Sequence, residues 1–231
     1  MCGRYVLHVY LSEITDQFEI YEVEWVWEPN YNIAPGNNVA GIIKNGSNRL
    51  KALRWGLIPH WAKDESVGYR MINARAETLA EKPAFRRAFQ KQRCIIPANG
   101  FYEWCHEENK KKKTPYYISL RSGKLMGFAG LYETWKSKDN RLITSCTIIT
   151  TKPNEVVQPL HNRMPVILEP DKREMWLDKT IQDPLELLPL LKPYDAKEMI
   201  SFEVSDKLNS TKFNRPDCIK PVKSFKPQSL F

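Results

Sequence analysis

The stretch NNVAGIIKNGSNRLKALRWGLI, residues 37–58, contains a clear signal for local structure. It contains two runs rich in aliphatic residues on either side of the tetrapeptide KNGS, residues 44–47. An Asn-Gly pair between two such runs is typical of a β-hairpin, because both residues tolerate the left-handed backbone conformation that a tight turn needs. The stretch therefore predicts two antiparallel strands joined by a short turn.

Similar runs along the chain predict further strands. They are RCIIPANGFYEW (93–104), TPYYISLRSGKLMGFAGLYETW (114–135), RLITSCTIITT (141–151) and RMPVILE (163–169). The segment RSGK (121–124) has the composition of a second hairpin turn. Since Gly, Pro and Asn punctuate these runs, the chain is predicted to be rich in short strands.

Helical signals are fewer than strand signals. SEITDQFEI (12–20) has apolar residues at helical spacing, and EKPAFRRAFQKQ (81–92) places Phe85 and Phe89 four residues apart on one face. EPDKREMWLD (169–178) and DPLELLPLL (183–191) each begin with an acidic residue and proline, as the first turns of helices often do.

Strands and helices do not alternate regularly, so a parallel doubly wound sheet is not supported. The fold class expected is α+β, with mixed, mostly antiparallel sheets and peripheral helices. We predict a single domain over residues 1–231, in which residues 220–231 form a flexible basic tail.

The composition excludes several classes of protein. The chain has 231 residues, of which 42% are hydrophobic, and no apolar run approaches the roughly 18 residues that span a bilayer. The N-terminus lacks a signal-peptide pattern, so a cytoplasmic protein is expected, associated with the nucleoid if bacterial. The five cysteines are scattered without a C-x-x-C pair. We therefore expect no disulfide framework, no metal site and no cofactor.

The formal net charge is +8, with 35 Lys and Arg against 27 Asp and Glu. A basic balance favours polyanionic partners such as nucleic acid. Part of the excess lies in the run Lys110 to Lys113 and in Lys220, Lys223 and Lys226 near the C-terminus. A solvated loop and a flexible tail explain those lysines equally well, so the charge alone does not identify a partner.

The chain begins MCGRYV, with a cysteine directly after the initiator methionine. Removal of Met1 leaves Cys2 with a free α-amine and a free thiol on one residue. Such a 1,2-aminothiol is a distinctive reagent, because two nucleophiles then lie in position to attack the same carbon.

Three further stretches contain polar residues in apolar surroundings. They are MINARAET (71–78), with Asn73 and Arg75; CIIPANGFYEWC (94–105), with Glu103; and QPLHNRMPVIL (158–168), with His161 and Arg163. A carboxyl group among aromatic residues tends toward a raised pKa, which suits a general acid near pH 7. Each signal has a structural alternative: a solvent-facing or paired glutamate, a structural histidine, and arginines in ordinary salt bridges.

In this order the stretches resemble the SOS-response-associated peptidase (SRAP) family of abasic-site processing proteins. The resemblance runs from MCGRY through NIAPG (32–36), RWGLIPHWAKD (54–64), INARAET, RCIIPANGFYEW, FAGLYETW (128–135), TIITT (147–151) and LHNRMPVIL (160–168) to VSDKLNS (204–210). It covers nearly the whole chain. The lysine-rich run 110–113 and the ending NRPDCIKP (214–221) depart from the pattern.

The resemblance implies roles for individual residues. Cys2 corresponds to the residue that crosslinks to an abasic site in single-stranded DNA, and Asn73, Glu103 and His161 correspond to its active-site partners. The positions implied in DNA binding are Arg4, Arg75 and Arg163 on phosphates, Trp61 beside bases, and Asn32 and Pro35 in the walls of the cleft. The expected product is a thiazolidine, the expected partner is single-stranded DNA with abasic sites, and the protein is expected to be a monomer. Autoproteolytic removal of Met1 and a weak lyase activity are further expectations.

Two other classes of function remain open at this stage. One is an N-terminal-nucleophile hydrolase or Cys–His peptidase, in which the Cys2 thiol attacks an amide. The other is a non-catalytic single-strand-binding module with aromatic residues over a basic groove.

Overall fold

The structure, a computed structural model, describes residues 2–25, 28–106 and 112–222. Its strands are β1 Tyr5–Leu7, β2 Ile20–Val23, β3 Asn30–Ile33, β4 Asn38–Asn45, β5 Ser47–Trp55, β6 Asn73–Arg75, β7 Arg93–Ala98, β8 Gly100–Cys105, β9 Thr114–Leu120, β10 Met126–Lys136, β11 Leu142–Thr151, β12 Met164–Pro165 and β13 Met199–Glu203. The α-helices are α1 Leu11–Phe18, α2 Arg86–Lys91, α3 Arg173–Leu177 and α4 Pro184–Leu187. Short 3₁₀ segments include Glu65–Arg70 and Ala76–Thr78.

These strands form two sheets. The smaller has the order β13-β9-β8-β1-β3, and the larger has the order β12-β11-β10-β7-β4-β5-β2, with β6 added beside β11. The end of β5 also pairs with β11, Cys146 facing Trp55, so that β4, β5, β11, β10 and β7 close into a ring. Most pairings are antiparallel, and the expected α+β class with peripheral helices is confirmed.

The hairpin predicted from residues 37–58 is present. β4 and β5 pair from Asn38 opposite Arg54 to Asn45 opposite Ser47, and Gly46 forms the turn with a φ of 76°. This positive φ explains the glycine, because other residues pay a steric cost there. The hairpin therefore anchors one side of the closed ring.

Two of the strand predictions are wrong in part. RSGK does form a turn, with Gly123 at a φ of 69°, but it joins β9 of one sheet to β10 of the other and is not a hairpin. RMPVILE forms only the two-residue strand β12 and an isolated bridge from Ile167 to Phe128. Turn composition specifies a change of direction, whereas pairing depends on where each strand finds its neighbour.

Arg93 links the helices to the ring. It is buried at the start of β7, and its guanidinium donates to the carbonyls of Phe89, Gln90, Trp176, Asp178 and Ile181. Except for that of Ile181, which lies beyond α3, these carbonyls lie at the ends of α2 and α3, where the last groups of a helix lack partners within it. A cation there satisfies them and also interacts favourably with the helix dipole.

Within the described ranges no helix is long and apolar enough to cross a membrane. The same ranges contain no group of three His, Cys, Asp or Glu side chains arranged to hold a metal ion. Met1, Lys110 and Lys111, and the part of the predicted tail from residue 223 onward lie outside the described residues.

Candidate active site

The first residues of the chain run beside the strand that contains Glu103. β1 is antiparallel to β8, with Tyr5 opposite Phe101. Continuing this register by two residues brings Gly3 alongside Glu103, at the spacing of neighbouring strands, about 4.8 Å. The short strand β1 therefore fixes how close Cys2 lies to the carboxyl group.

The other side of this segment faces the NIAPG loop. β1 also pairs with β3, where Tyr5 is opposite Ile33, and the same antiparallel register leads from Gly3 toward Pro35. The Gly36 N–H donates to the carbonyl of Trp55 at 2.8 Å, which fixes the loop to the end of β5. The start of the chain is thus enclosed by β8 on one side and the β3–β4 loop on the other.

Cys2 is completely buried at this point. Burial raises the pKa of its thiol well above the ordinary value, and the nearby charge of Glu103 acts in the same direction. Asn73, at the start of β6, donates from Nδ2 to the Cys2 carbonyl at 2.9 Å. The Asn73 Oδ1 atom is buried and has no hydrogen-bond partner among the described residues. The Asn73 amide nitrogen therefore binds the Cys2 carbonyl, and the amide oxygen is available to accept another hydrogen bond.

Glu103 is 2% exposed, although it carries an ionisable group. Burial raises the pKa of this carboxyl group to about 7, and the positive charge of Lys113 acts in the opposite direction. Its pKa lies near neutral pH, so both the protonated and the ionised form are populated there, as general acid–base catalysis requires.

His161 follows the turn after β11. Its Nδ1 lies 3.0 Å from the Arg163 backbone nitrogen and 3.2 Å from the Arg163 carbonyl oxygen, so the Arg163 backbone holds the ring in place. Burial lowers the pKa of His161, and the positive charges of Lys113 and Arg163 lower it further. Lys113 thus acts on both Glu103 and His161, which places these two residues in one electrostatic environment.

The Arg163 side chain is already engaged. Its two terminal nitrogens donate to the Glu77 carboxylate at 2.7 and 2.9 Å, and one of them also donates to the Thr150 carbonyl at 2.5 Å. Bidentate Arg–carboxylate pairs have a fixed geometry. The pair therefore fixes the Arg163 backbone that contacts the His161 ring, in addition to any contact with a phosphate.

Arg4 and Asn32 form a second hydrogen-bonded pair, in which Asn32 is buried and Arg4 half-buried. The Arg4 Nη1 atom donates to Asn32 Oδ1 at 2.6 Å and to the Leu208 carbonyl at 3.1 Å. Asn32 Nδ2 donates to the carbonyls of Ser210 and Phe213 at 3.0 and 2.8 Å. Asn32 thus connects the wall of the cleft to the segment after β13.

The remaining predicted DNA contacts lie at the surface. Trp61 is 54% exposed, Arg75 is exposed at the end of β6, and Pro35 is half-buried. The structure brings Cys2, Asn73 and Glu103 together around the chain start. The charge of Lys113 acts on His161 as it does on Glu103. Trp61 lies on a separate loop.

The sequence interpretation missed two contributors. Lys113 was left open between a solvated loop and a binding role, and Glu77 was not assigned a role although it lies in INARAET. Lys113 lies near the site because β8 and β9 are paired, with Cys105 of β8 opposite Thr114 of β9. A basic residue directly before a predicted strand was the available signal, but it does not reveal which strand lies beside it.

The candidate site thus combines a buried cysteine at the start of the chain with a buried carboxyl group whose pKa is about 7. The profile of one family, "SOS response associated peptidase (SRAP)", matches residues 1–211. The chain belongs to this family, as its motifs predicted.

Relatives and solved structures agree with this assignment. The chain is 50% identical over 223 residues to abasic site processing protein YoqW of Bacillus subtilis, covering 95% of this chain and 99% of the relative. It is 37% identical over 204 residues to abasic site processing protein YMR114C of Saccharomyces cerevisiae, covering 85% of this chain and 54% of the relative. A crystal structure of a Bacteroides thetaiotaomicron protein superposes with a TM-score of 0.87 at 28% identity, covering 96% of this chain and 100% of the other.

Proposed function

We propose that this protein processes abasic sites in single-stranded DNA by forming a covalent thiazolidine with Cys2 after Met1 is removed. The observation that carries the proposal is the burial of Cys2 beside Glu103, a carboxyl group whose pKa is about 7. The names of the relatives supply the substrate class. We further propose that the protein acts as a monomer in the cytoplasm, where it has access to the chromosome.

The first step is the opening of the sugar. An abasic deoxyribose is mostly a closed hemiacetal, in which no aldehyde is available. Protonated Glu103 donates its proton to the ring oxygen as the bond from that oxygen to C1′ breaks, and the C1′ hydroxyl passes its proton through water to the Glu103 carboxylate, which restores the acid. The product is an aldehyde, and the open acceptor Asn73 Oδ1 is suited to accept a hydrogen bond from a sugar hydroxyl.

The second step joins protein and DNA. The neutral α-amine of Cys2 adds to C1′, and loss of one water gives an imine. The thiol then adds to the same carbon: a C–S bond forms, and the thiol proton passes to the imine nitrogen. Because thiol and imine belong to one residue, this ring closure is intramolecular and favoured over attack by a separate thiol. His161 is suited to move protons in both stages.

The raised pKa of the Cys2 thiol distinguishes this chemistry from cysteine hydrolysis. A hydrolase needs a thiolate as its first nucleophile, and burial disfavours the thiolate here. In thiazolidine formation the amine attacks first, so the first step needs no thiolate. The burial of the sulfur therefore supports the crosslinking function over an N-terminal-nucleophile hydrolase.

The test is the intact mass of purified protein after reaction with a single-stranded oligonucleotide that contains one abasic site. The expected adduct is the protein without Met1 plus the DNA minus one water. Cys2→Ala is expected to give no thiazolidine, and Cys2→Ser only an imine that borohydride traps and heat destroys. Cys105→Ser, a cysteine at the end of β8, is the matched control and is expected to react like the wild type.

Three results would contradict the proposal. They are no adduct from protein whose Met1 is confirmed absent, a heat-stable adduct with Cys2→Ser, and loss of the adduct in Cys105→Ser alone. Release of ammonia from glutamine or cleavage of peptides would instead indicate the hydrolase, and reversible binding to intact strands without any adduct would indicate the binding module.

A further inference from the structure

The groups of the candidate active site are held in place by contacts within the protein itself. Asn73 donates to the Cys2 carbonyl at 2.9 Å, and the Arg163 backbone nitrogen lies 3.0 Å from the His161 ring. Arg163 is in turn fixed by the Glu77 carboxylate at 2.7 and 2.9 Å. Both partners in each contact belong to the protein, so the arrangement does not depend on a bound strand.

The proposed reaction uses only a small part of the DNA. It takes place at C1′, at the ring oxygen and beside one sugar hydroxyl, and no base or phosphate atom enters a bond-making step. A site that is already assembled accelerates the reaction of any molecule that brings the reacting atoms to the same positions. A free sugar in its hemiacetal form contains all of these atoms.

Two groups of the site select such sugars over simple aldehydes. Glu103 is 2% exposed and its pKa is about 7, so it can protonate the ring oxygen of a hemiacetal. The buried Asn73 Oδ1 atom has no hydrogen-bond partner among the described residues and can accept a hydrogen bond from a hydroxyl. A simple aldehyde has neither a ring to open nor a hydroxyl to donate.

The burial of Cys2 limits the size of its reaction partners. Cys2 is completely buried, whereas Cys105 at the end of β8 is only half-buried, with its Sγ atom 3.5 Å from the Pro159 carbonyl oxygen. Access to Cys2 requires neighbouring groups to move, and the movement needed grows with the size of the reagent. A free deoxyribose is no larger than the abasic residue that the site is proposed to accept.

We propose that the protein also captures small free hydroxyaldehydes, the class to which deoxyribose belongs, as thiazolidines on Cys2 without any DNA. The inference rests on the reaction of the proposed function and extends it to a second class of substrate. The Cys2 amine adds to the aldehyde carbon and one water leaves. The thiol then adds to the same carbon, and its proton passes to the nitrogen. No oxidant or reductant is needed, and the sugar competes with abasic DNA for Cys2.

The experiment compares the protein, with Met1 confirmed absent, with the free peptide CGRYV, whose N-terminal cysteine reacts by its intrinsic chemistry alone. Each is incubated with deoxyribose at pH 7, and the adduct of sugar minus one water is followed by intact mass. The protein is expected to react about a hundredfold faster, the lower end of what general acid catalysis contributes. With butanal, which has no ring and no hydroxyl, this advantage is expected to be roughly tenfold smaller.

Variants test whether the advantage comes from the site. Glu103→Gln is expected to remove most of it with deoxyribose and to change the butanal rate far less. Glu155→Gln, at an exposed position, and Cys105→Ser are the matched controls and are expected to react like the wild type. Reaction no faster than that of CGRYV, or an equal advantage with butanal, would overturn the proposal. An equal loss with both aldehydes in Glu103→Gln would also overturn it, because Glu103 would then support the fold and not open a ring.

A second measurement separates this inference from the proposed function. Protein treated with deoxyribose is offered the abasic oligonucleotide, and crosslinking is expected to fall in proportion to the fraction of Cys2 that has been modified. Full crosslinking by fully modified protein would refute the inference, because the sugar would then lie elsewhere. A fast deoxyribose adduct without any DNA adduct from untreated protein would refute the crosslinking function and leave the capture of free sugars standing. A DNA adduct with deoxyribose reacting only at the peptide rate would do the reverse.

Discussion

Glu103 gives the protein a pH dependence of stability whose sign and size follow from its burial. Burial raises the pKa of this carboxyl group from 4.5 to about 7. The folded state therefore binds the proton more tightly than the unfolded state does. The stability that this provides is fully present below pH 4.5 and is lost as the pH rises through 7. The pKa difference corresponds to about 3 kcal/mol.

The perturbation is Glu103→Gln, which keeps the size of the side chain and removes its titration. Urea unfolding of both proteins, followed by tryptophan fluorescence, is measured at pH 5 and pH 8. Over this interval the wild type is expected to lose about 2.5 kcal/mol relative to the variant. That loss corresponds to a shift of roughly 1 M in the urea midpoint. Every other titrating group is common to both proteins, so its contribution cancels in the difference.

The result that would refute this reasoning is the same pH dependence in both proteins, because Glu103 would then have an ordinary environment. Glu155→Gln, at an exposed position after β11, is the control and is expected to follow the wild type. A difference of the opposite sign, with the wild type gaining stability above pH 7, would show that an ion pair and not burial dominates at Glu103.

Three further predictions concern residues that hold the site and the ring. Glu77→Gln is expected to slow crosslinking at least tenfold in single turnovers with an unchanged melting temperature, because it loosens Arg163; an unaltered rate would contradict this. Asn32→Ala is expected to cost about 3 kcal/mol in urea unfolding, since it leaves buried groups without partners; a loss below 1 kcal/mol would count against it. Arg93→Met is expected to cost about 4 kcal/mol, and wild-type stability would show that its hydrogen bonds are dispensable.

The sequence predicted the strands better than it predicted their partners. The hairpin of β4 and β5 was predictable because its turn chemistry and both strands lie within residues 37–58. The closure of the ring, where Cys146 pairs with Trp55, joins residues 91 positions apart in parallel. Local patterns carry no signal for such a contact. For the same reason RSGK was expected to join paired strands, although its two strands belong to different sheets.

The candidate site shows the same difference between local patterns, which the sequence reveals, and long-range contacts, which it does not. Cys2, Asn73, Glu103 and His161 were selected because polar residues in apolar surroundings call for an explanation, and recognition of the family supplied their order. Their environments were not predictable, because each is set by a neighbour distant in the chain. Lys113 acts on Glu103 only because β8 and β9 pair.

If the proposed crosslinking function is correct, the geometry also explains why the cysteine is at position 2. Only an N-terminal residue carries both an amine and a thiol, so the site must be built where the chain begins. β1 starts three residues later and is held on both sides, by β8 and by β3. These pairings fix the register of the whole segment, and one residue more or fewer would move Cys2 by about 3.3 Å and reverse the face on which its side chain lies. The short distance from the chain start to β1 is therefore a requirement of the proposed reaction.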